Sequence, residues 1–309
     1  MRKISCLVLF IFAVCVVGCG QQQTASDANK IPTEVATTQT SEKPAEEQKP
    51  SEPAPPPEPV KNYVLAANDL SNLQLDDVTK PVYDRYTLWE RQEKKLPFVL
   101  PEIKPYDAEP VAYLTFDDGP DDVITPQILD TLKAENVKAT FYVCGNMVDT
   151  YPDVLKRIFD EDHAIGNHSY NHDYGELYST PWAFMEQIIK TDNSIKNIIG
   201  MRPLIIRAPG GSNGMFRPDF YTMVADCGYV EHGWNALTED ATPSRPDAYQ
   251  QVQNVLQDLG ENPPRSVIVL MHSNGDKFET AKALPDIIHL LRDKGYKFGV
   301  VTPMTPQPW

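Results

Sequence analysis

From about residue 110 to the C-terminus, short apolar runs alternate with segments of helical periodicity, and this alternation restricts the fold more than any other feature. The strand-like runs fall at 111–116, 139–143, 164–166, 204–207, 229–234, 267–271 and 298–301. Helical patterns fall between them at 126–135, 152–161, 181–199, 219–227, 246–259 and 280–294. Several of these helices carry Pro near the first turn with Ser, Thr or Asp before it, as helix starts should. Strand-helix repetition implies parallel strands joined by crossover helices, in an open sheet or a barrel. Seven such units in a segment this short suit a small, irregular α/β barrel. Functional groups on a barrel gather at the C-terminal ends of the strands.

The chain of 309 residues carries 43 acidic against 28 basic side chains, a net charge of −15. Lacking a basic patch interleaved with aromatics, it is not expected to bind nucleic acid. Its start is different in character. Arg2 and Lys3 precede a nearly all-apolar stretch to Val17, followed by Gly18 and Cys19. That stretch is short for a membrane span and fits an export signal, residues 1–18. Small residues leading into Cys19 resemble a bacterial lipobox, which implies cleavage before Cys19 and its lipidation; an uncleaved anchor would give the same topology. Residues 19–61 lack apolar periodicity and are rich in Pro, Glu, Gln, Ser and Thr, so they read as a disordered linker. Extended at ~3.1 Å per residue, such a linker reaches on the order of 100 Å.

Residues 62–107 read as an N-terminal extension packed on the main domain. Val82, Tyr83, Tyr86, Leu88 and Trp89 suggest an amphipathic helix there. Cys144 and Cys227 sit among apolar residues and are expected to be buried free thiols, with a disulfide between them the alternative, since pairing cannot be read from sequence.

Four strand ends carry chemistry. The first is Asp117-Asp118-Gly119-Pro120, where adjacent carboxylates would repel and be costly to desolvate unless a cation relieves them. The same run also suits a plain turn. At the third, His168 and His172 stand four apart, on one face of a helical turn if the segment is helical. With Asp118 they make a His₂-carboxylate set of the kind found in catalytic metal centres. Zinc is the default ion, with Co2+, Ni2+ and Fe2+ left open. The fourth carries Arg207-Ala208-Pro209-Gly210-Gly211: Arg207 can pair with one carboxylate, and the glycines let a backbone N–H approach a ligand. At the sixth, His272 is placed to protonate a leaving group, with Asp240 able to orient it. His163, His232 and His289 have no partner pattern and read as structural or surface residues.

Taken in order, TFDDGP at 115–120, HSYNH at 168–172, RAPGG at 207–211, WNALTED at 234–240 and LMH at 270–272 resemble the motifs of the polysaccharide deacetylase family. This family is also called carbohydrate esterase family 4, or the NodB-like domain. The resemblance covers about 108–303, within a domain assigned to 108–305, and implies a deformed (β/α)7 barrel. It implies a metal held by Asp118, His168 and His172, Asp117 as general base, Arg207 orienting Asp117, and His272 as general acid tuned by Asp240. It further implies that the Gly210 N–H faces an oxyanion and that Leu270 lines the pocket for the acetyl methyl group. The reaction implied is hydrolysis of an N-acetyl group from a sugar.

Three positions depart from the family pattern: Ala241 where Trp is usual, Leu237 where an acid is frequent, and Ser273 where Asp is common. They bear on substrate preference, since the acetyl pocket is then wider or filled by Trp234 or another side chain. The reading is a monomeric, lipid-anchored, exported N-deacetylase of cell-envelope polysaccharide, with peptidoglycan N-acetylglucosamine as the expected substrate. Chitooligosaccharide or exopolysaccharide deacetylation, O-acetyl esterase action on xylan or another glycan, and non-catalytic glycan binding are the alternatives.

Overall fold

The described residues, 62–308 of the computed structural model, begin with strands β1 (Val64–Leu65) and β2 (Val82–Asp84) and helix α1 (Leu88–Glu93). Residues 82–89 therefore do not form one amphipathic helix. Val82, Tyr83 and Asp84 are buried on both faces of a strand that pairs with β1 and with β6 (Arg202–Pro203). The Tyr83 hydroxyl donates to the His163 carbonyl and accepts from the Ile165 N–H, which fixes it as strand. The helix starts only at Leu88, where Thr87 and Glu90 form a reciprocal capping box.

The next elements are β3 (Val111–Asp117), α2 (Ile124–Glu135), β4 (Thr140–Val143), α3 (Gly145–Thr150), α4 (Pro152–Asp160) and β5 (Ala164–Asn167). After them come α5 (Tyr174–Leu177), α6 (Pro181–Ile199), β6, β7 (Ile205–Ile206), α7 (Pro218–Asp226), β8 (Val230–Glu231) and β9 (Ala236–Leu237). Helix α8 (Ala248–Leu259), β10 (Ser266–His272), α9 (Phe278–Asp293) and β11 (Lys297–Gly299) complete the chain. The signal segment 1–18, Cys19 and the linker 19–61 lie outside the described residues.

All pairings in the large sheet are parallel, in the order β8-β7-β5-β4-β3-β10-β9, with β11 also on β3. The two edge strands, β8 and β9, are consecutive in sequence, so the sheet curls toward itself into an open, deformed α/β barrel. β3 and β10 form its centre, running side by side from Val111 opposite Ser266 to Asp117 opposite His272. Every residue of β3 is buried, as a strand covered on both faces requires.

β7 and β8 are shorter than the apolar runs that contain them. Beyond their ends the carbonyls of His232 and Gly233 accept from the Arg207 guanidinium instead of a neighbouring strand. α6 matches its predicted bounds because its signals are strong: Thr180 caps the Ala183 N–H, Pro181 opens the first turn, and Gly200 ends it at φ +77°. Cys144 and Cys227 are buried and not joined by a disulfide. Among the described residues no helix is long and apolar enough to cross a membrane.

Candidate active site

The pairing of β3 with β10 brings Asp117 and His272 to the same rim of the barrel. Asp118 follows at φ +70°, a left-handed conformation that Asp tolerates better than most residues and that turns the chain off the strand. Its neighbour Asp121 absorbs the helix-start role: one carboxylate oxygen accepts from the N–H groups of Val123, Ile124 and Thr125. Capping of α2 therefore falls to Asp121, and the two carboxylates before it face other partners.

Asp117 is buried beside Arg207, which is wholly buried. Arg207 Nη1 donates to Asp117 Oδ1 at 2.9 Å and to Thr115 Oγ1 at 2.7 Å, while Nε and Nη2 are spent on the carbonyls of His232 and Gly233. The guanidinium also lies 4.2 Å over the Tyr142 ring. A charge held on so many sides fixes one oxygen of Asp117 and leaves Oδ2 to point elsewhere, 3.7 Å from His168 Nε2.

Asp118 Oδ1 is buried and has no hydrogen-bond partner, yet lies 3.4 Å from Nε2 of both His168 and His172. Burial alone would raise the Asp118 pKa. His168, reinforced by the charges of His272 and His172, outweighs it and holds the group far below the ordinary carboxylate range. Ligand atoms of Asp118, His168 and His172 all lie within 4.8 Å of one another. His168 Nδ1 is 2.9 Å from the Arg207 carbonyl, which can only accept, so Nδ1 carries a proton and Nε2 is the nitrogen that faces the cluster.

Residues 168–172 do not form a helical turn. Ser169 at φ +75° and His172 at φ +57° bend the segment into a loop, and the two rings meet with centroids 5.2 Å apart. The loop is held from α6. Gln187 Oε1 accepts from the N–H groups of Tyr170 and Asn171, both at 3.1 Å, and Gln187 Nε2 and Asn171 Nδ2 both donate to Glu176. Asn167 Nδ2 donates to Asp192 and to the Ile188 carbonyl. Sequence reasoning missed Gln187, Glu176 and Asp192, because nothing in their local pattern points to a loop many residues away.

On the opposite side His272 Nδ1 lies 2.8 Å from Asp240 Oδ1, and the other Asp240 oxygen accepts from the His272 N–H and the Thr280 hydroxyl. Burial pulls the His272 pKa down, but the hydrogen bond to Asp240 and its charge outweigh it, so the net shift is upward. His272 Nε2 is 4.0 Å from Asp118 Oδ2. Gly210 and Gly211 both take positive φ, and Gly211 lies under Trp234, whose ring would sit 2.8 Å from a Cβ there. Leu270 lies beneath the rim on β10, nearly buried. Of the remaining histidines, His163 accepts from the Ala139 N–H, His232 lies 3.2 Å from the Thr305 carbonyl, and His289 pairs with Glu135, all away from this cluster.

The arrangement holds a carboxylate and an imidazole on two sides of a set of three ligand groups, which suits metal-assisted hydrolysis. The family description "Polysaccharide deacetylase" matches residues 104–232. A peptidoglycan-N-acetylglucosamine deacetylase of Bacillus cereus is 36% identical over 195 residues, covering 63% of this chain and 67% of the relative. Among solved structures, a Streptococcus mutans CE4 esterase superposes with a TM-score of 0.60 at 29% identity, over 68% of this chain and 94% of that one. The catalytic domain of a peptidoglycan N-acetylglucosamine deacetylase from Eubacterium rectale gives 0.59 at 30%, over 66% and 94%. Sequence and fold agree with the ordered motifs at the strand ends, and the chain belongs to the polysaccharide deacetylase family.

Proposed function

We propose that this hydrolase removes N-acetyl groups from peptidoglycan N-acetylglucosamine while tethered to the outer side of a bacterial membrane through a lipidated Cys19. The observation that carries the chemistry is the division of the two adjacent carboxylates. Asp117 is held by Arg207 with one oxygen free, and Asp118 turns an unpartnered oxygen toward two imidazoles. Two nitrogens and a carboxylate oxygen, with a buried orphaned acceptor among them, fit a divalent ion of the zinc type. Asp118, His168 and His172 would hold it. Such an ion, when bound, lowers the pKa of a water and polarises a carbonyl.

The protein groups do the rest. Asp117 Oδ2 takes the proton of the attacking water, while Arg207 holds the carboxylate in orientation through its other oxygen. The N–H of Gly210 faces the oxygen on which negative charge develops. Leu270 and Trp234 enclose the acetyl methyl group, with Ala241 leaving that pocket wider than a Trp would. His272 Nε2 gives its proton to the departing nitrogen as the C–N bond breaks, and Asp240 stabilises the imidazolium and its orientation. The products are acetate and a free amine on the sugar.

The substrate assignment rests on the names of the relatives and on the export signal and linker, which suit a target in the cell envelope. Incubating the full chain with purified peptidoglycan fragments, followed by mass spectrometry, tests it. Loss of an acetyl mass from the glucosamine residue is expected. Acetate release only from O-acetylated glycans would replace this reading with an esterase.

A further inference from the structure

We propose that Tyr174 is a substrate-binding residue, contacting the sugar that carries the scissile amide; this rests on the deacetylase reading above. Tyr174 opens α5 two residues after His172, where the positive φ of His172 turns the chain back over the site. Its ring meets the His172 ring edge-on, with centroids 5.2 Å apart, yet the side chain is 43% exposed.

The hydroxyl lies over the glycine loop. It stands where a side chain at position 210 would project: a Cβ on Gly210 would lie 2.7 Å from it. On the far side of the same loop, a Cβ on Gly211 would lie 2.8 Å from Trp234. Two bare glycines are thus roofed by two aromatics from different elements. The loop between them is steadied by the Tyr178 hydroxyl, which donates to the Pro209 carbonyl at 2.6 Å.

Among the described residues the Tyr174 hydroxyl makes no hydrogen bond to the protein; the hydroxyls of Tyr113 and Tyr142 also have none, but they are buried, whereas that of Tyr174 stands open beside the histidine loop. A neutral phenol offers one donor and acceptor lone pairs at ordinary pH. An aromatic face with an unspent hydroxyl, beside a cleft wall of bare backbone, is complementary to a neutral polyol: C–H groups pack on the ring and hydroxyls bond its tip.

The test uses the full chain as wild type, Y174F and Y174A, with an N-acetylglucosamine tetramer as the probe. Steady-state acetate release is measured with metal loaded. Binding of the tetramer is measured separately in a D117N background, and metal affinity of the apo-proteins by competition with a chromogenic chelator. Loss of one hydrogen bond in Y174F should raise KM, and Kd in the D117N background, about five- to tenfold, with metal affinity unchanged. Unchanged KM and Kd in Y174F, or a loss confined to metal affinity in either variant, would overturn the proposal and leave Tyr174 a packing partner of His172. If the wild type released no acetate but Y174F still weakened tetramer binding, the deacetylase reading would fall and the glycan contact would stand.

Discussion

The protein buries charge in two places, and they are finished differently. In the first, Asp84, wholly buried, accepts from Arg91, from Arg202 and from the Tyr86 N–H, so both oxygens are engaged. Arg202 also lies 3.7 Å from Asp192, which accepts from Tyr229 and Asn167. Burial lifts the Asp192 pKa to about 6 despite the opposing charge of Arg202. In the second, Arg207 has spent four hydrogen bonds, but Asp118 Oδ1 has none and the Nε2 atoms of His168, His172 and His272 converge on the same carboxylate. Buried polar groups normally find partners because leaving one without costs about 1–3 kcal/mol. The first cluster leaves one donor without a hydrogen bond, Arg202 Nη1, but that atom lies 3.7 Å from the Asp192 carboxylate, and the cluster ties the N-terminal extension to the barrel. The second leaves it unmet at one point, which is where an ion would complete it. The orphan in the first cluster is a donor facing a carboxylate, whereas the orphan in the second is an acceptor ringed by imidazole nitrogens, and that difference marks the site.

The sharpest way to break this comparison is D117N. If the second cluster is catalytic, removing the base should cut acetate release by about 10²–10⁴-fold. Arg207 keeps Thr115 and two carbonyls but loses its paired charge, so the thermal midpoint should fall as well, while the folded protein should still bind metal through Asp118, His168 and His172. Retained activity in D117N would show that the base lies elsewhere.

D84N strikes the other cluster. Removing one charge leaves two buried arginines facing a single remaining carboxylate, and breaking a buried pair in this way costs about 3–5 kcal/mol. Denaturant unfolding should register that loss. The folded fraction should keep its turnover and metal affinity, since Asp84 reaches the site only through Arg202, Asp192 and Asn167. A large fall in turnover with unchanged stability would erase the distinction between the two clusters.

The two clusters also differ in how far the sequence discloses them. Asp117-Asp118, Arg207 and His272 stand at the ends of apolar runs, where strand-end position and residue type together suggest chemistry. The barrel is legible for the same reason: runs that are buried on both faces carry a continuous apolar signal. The Asp84 cluster has no such signature. Asp84, Arg91, Asp192 and Arg202 are ordinary charged residues until β2 pairs with β6, and strand β2 itself hides among aromatics that also fit a helix. The loop bearing His168 and His172 shows the limit from the other side. A four-residue spacing suits a helix, but Gln187 binds two N–H groups of that segment and holds it as a loop. Such long-range contacts are settled by tertiary packing, which local pattern does not encode.

D240N should have the smallest effect and distinguishes electrostatic tuning from shape. Asp240 sits between the two extremes, since its oxygens are fully engaged by His272 and Thr280 yet its charge acts on a group at the rim. The His272 pKa is raised because Asp240 outweighs burial. Activity that needs protonated His272 is present below that pKa and falls as pH rises through it. Asn can still accept from Nδ1 but carries no charge, so the largest cause raising the pKa, the Asp240 carboxylate, is lost and the pKa falls. The alkaline limb of the rate profile should shift to lower pH, with a milder loss of rate at acidic pH than in D117N. Rates measured across the pH range in both proteins decide the point: an unmoved alkaline limb would mean that Asp240 only positions the ring, or that His272 is not the acid.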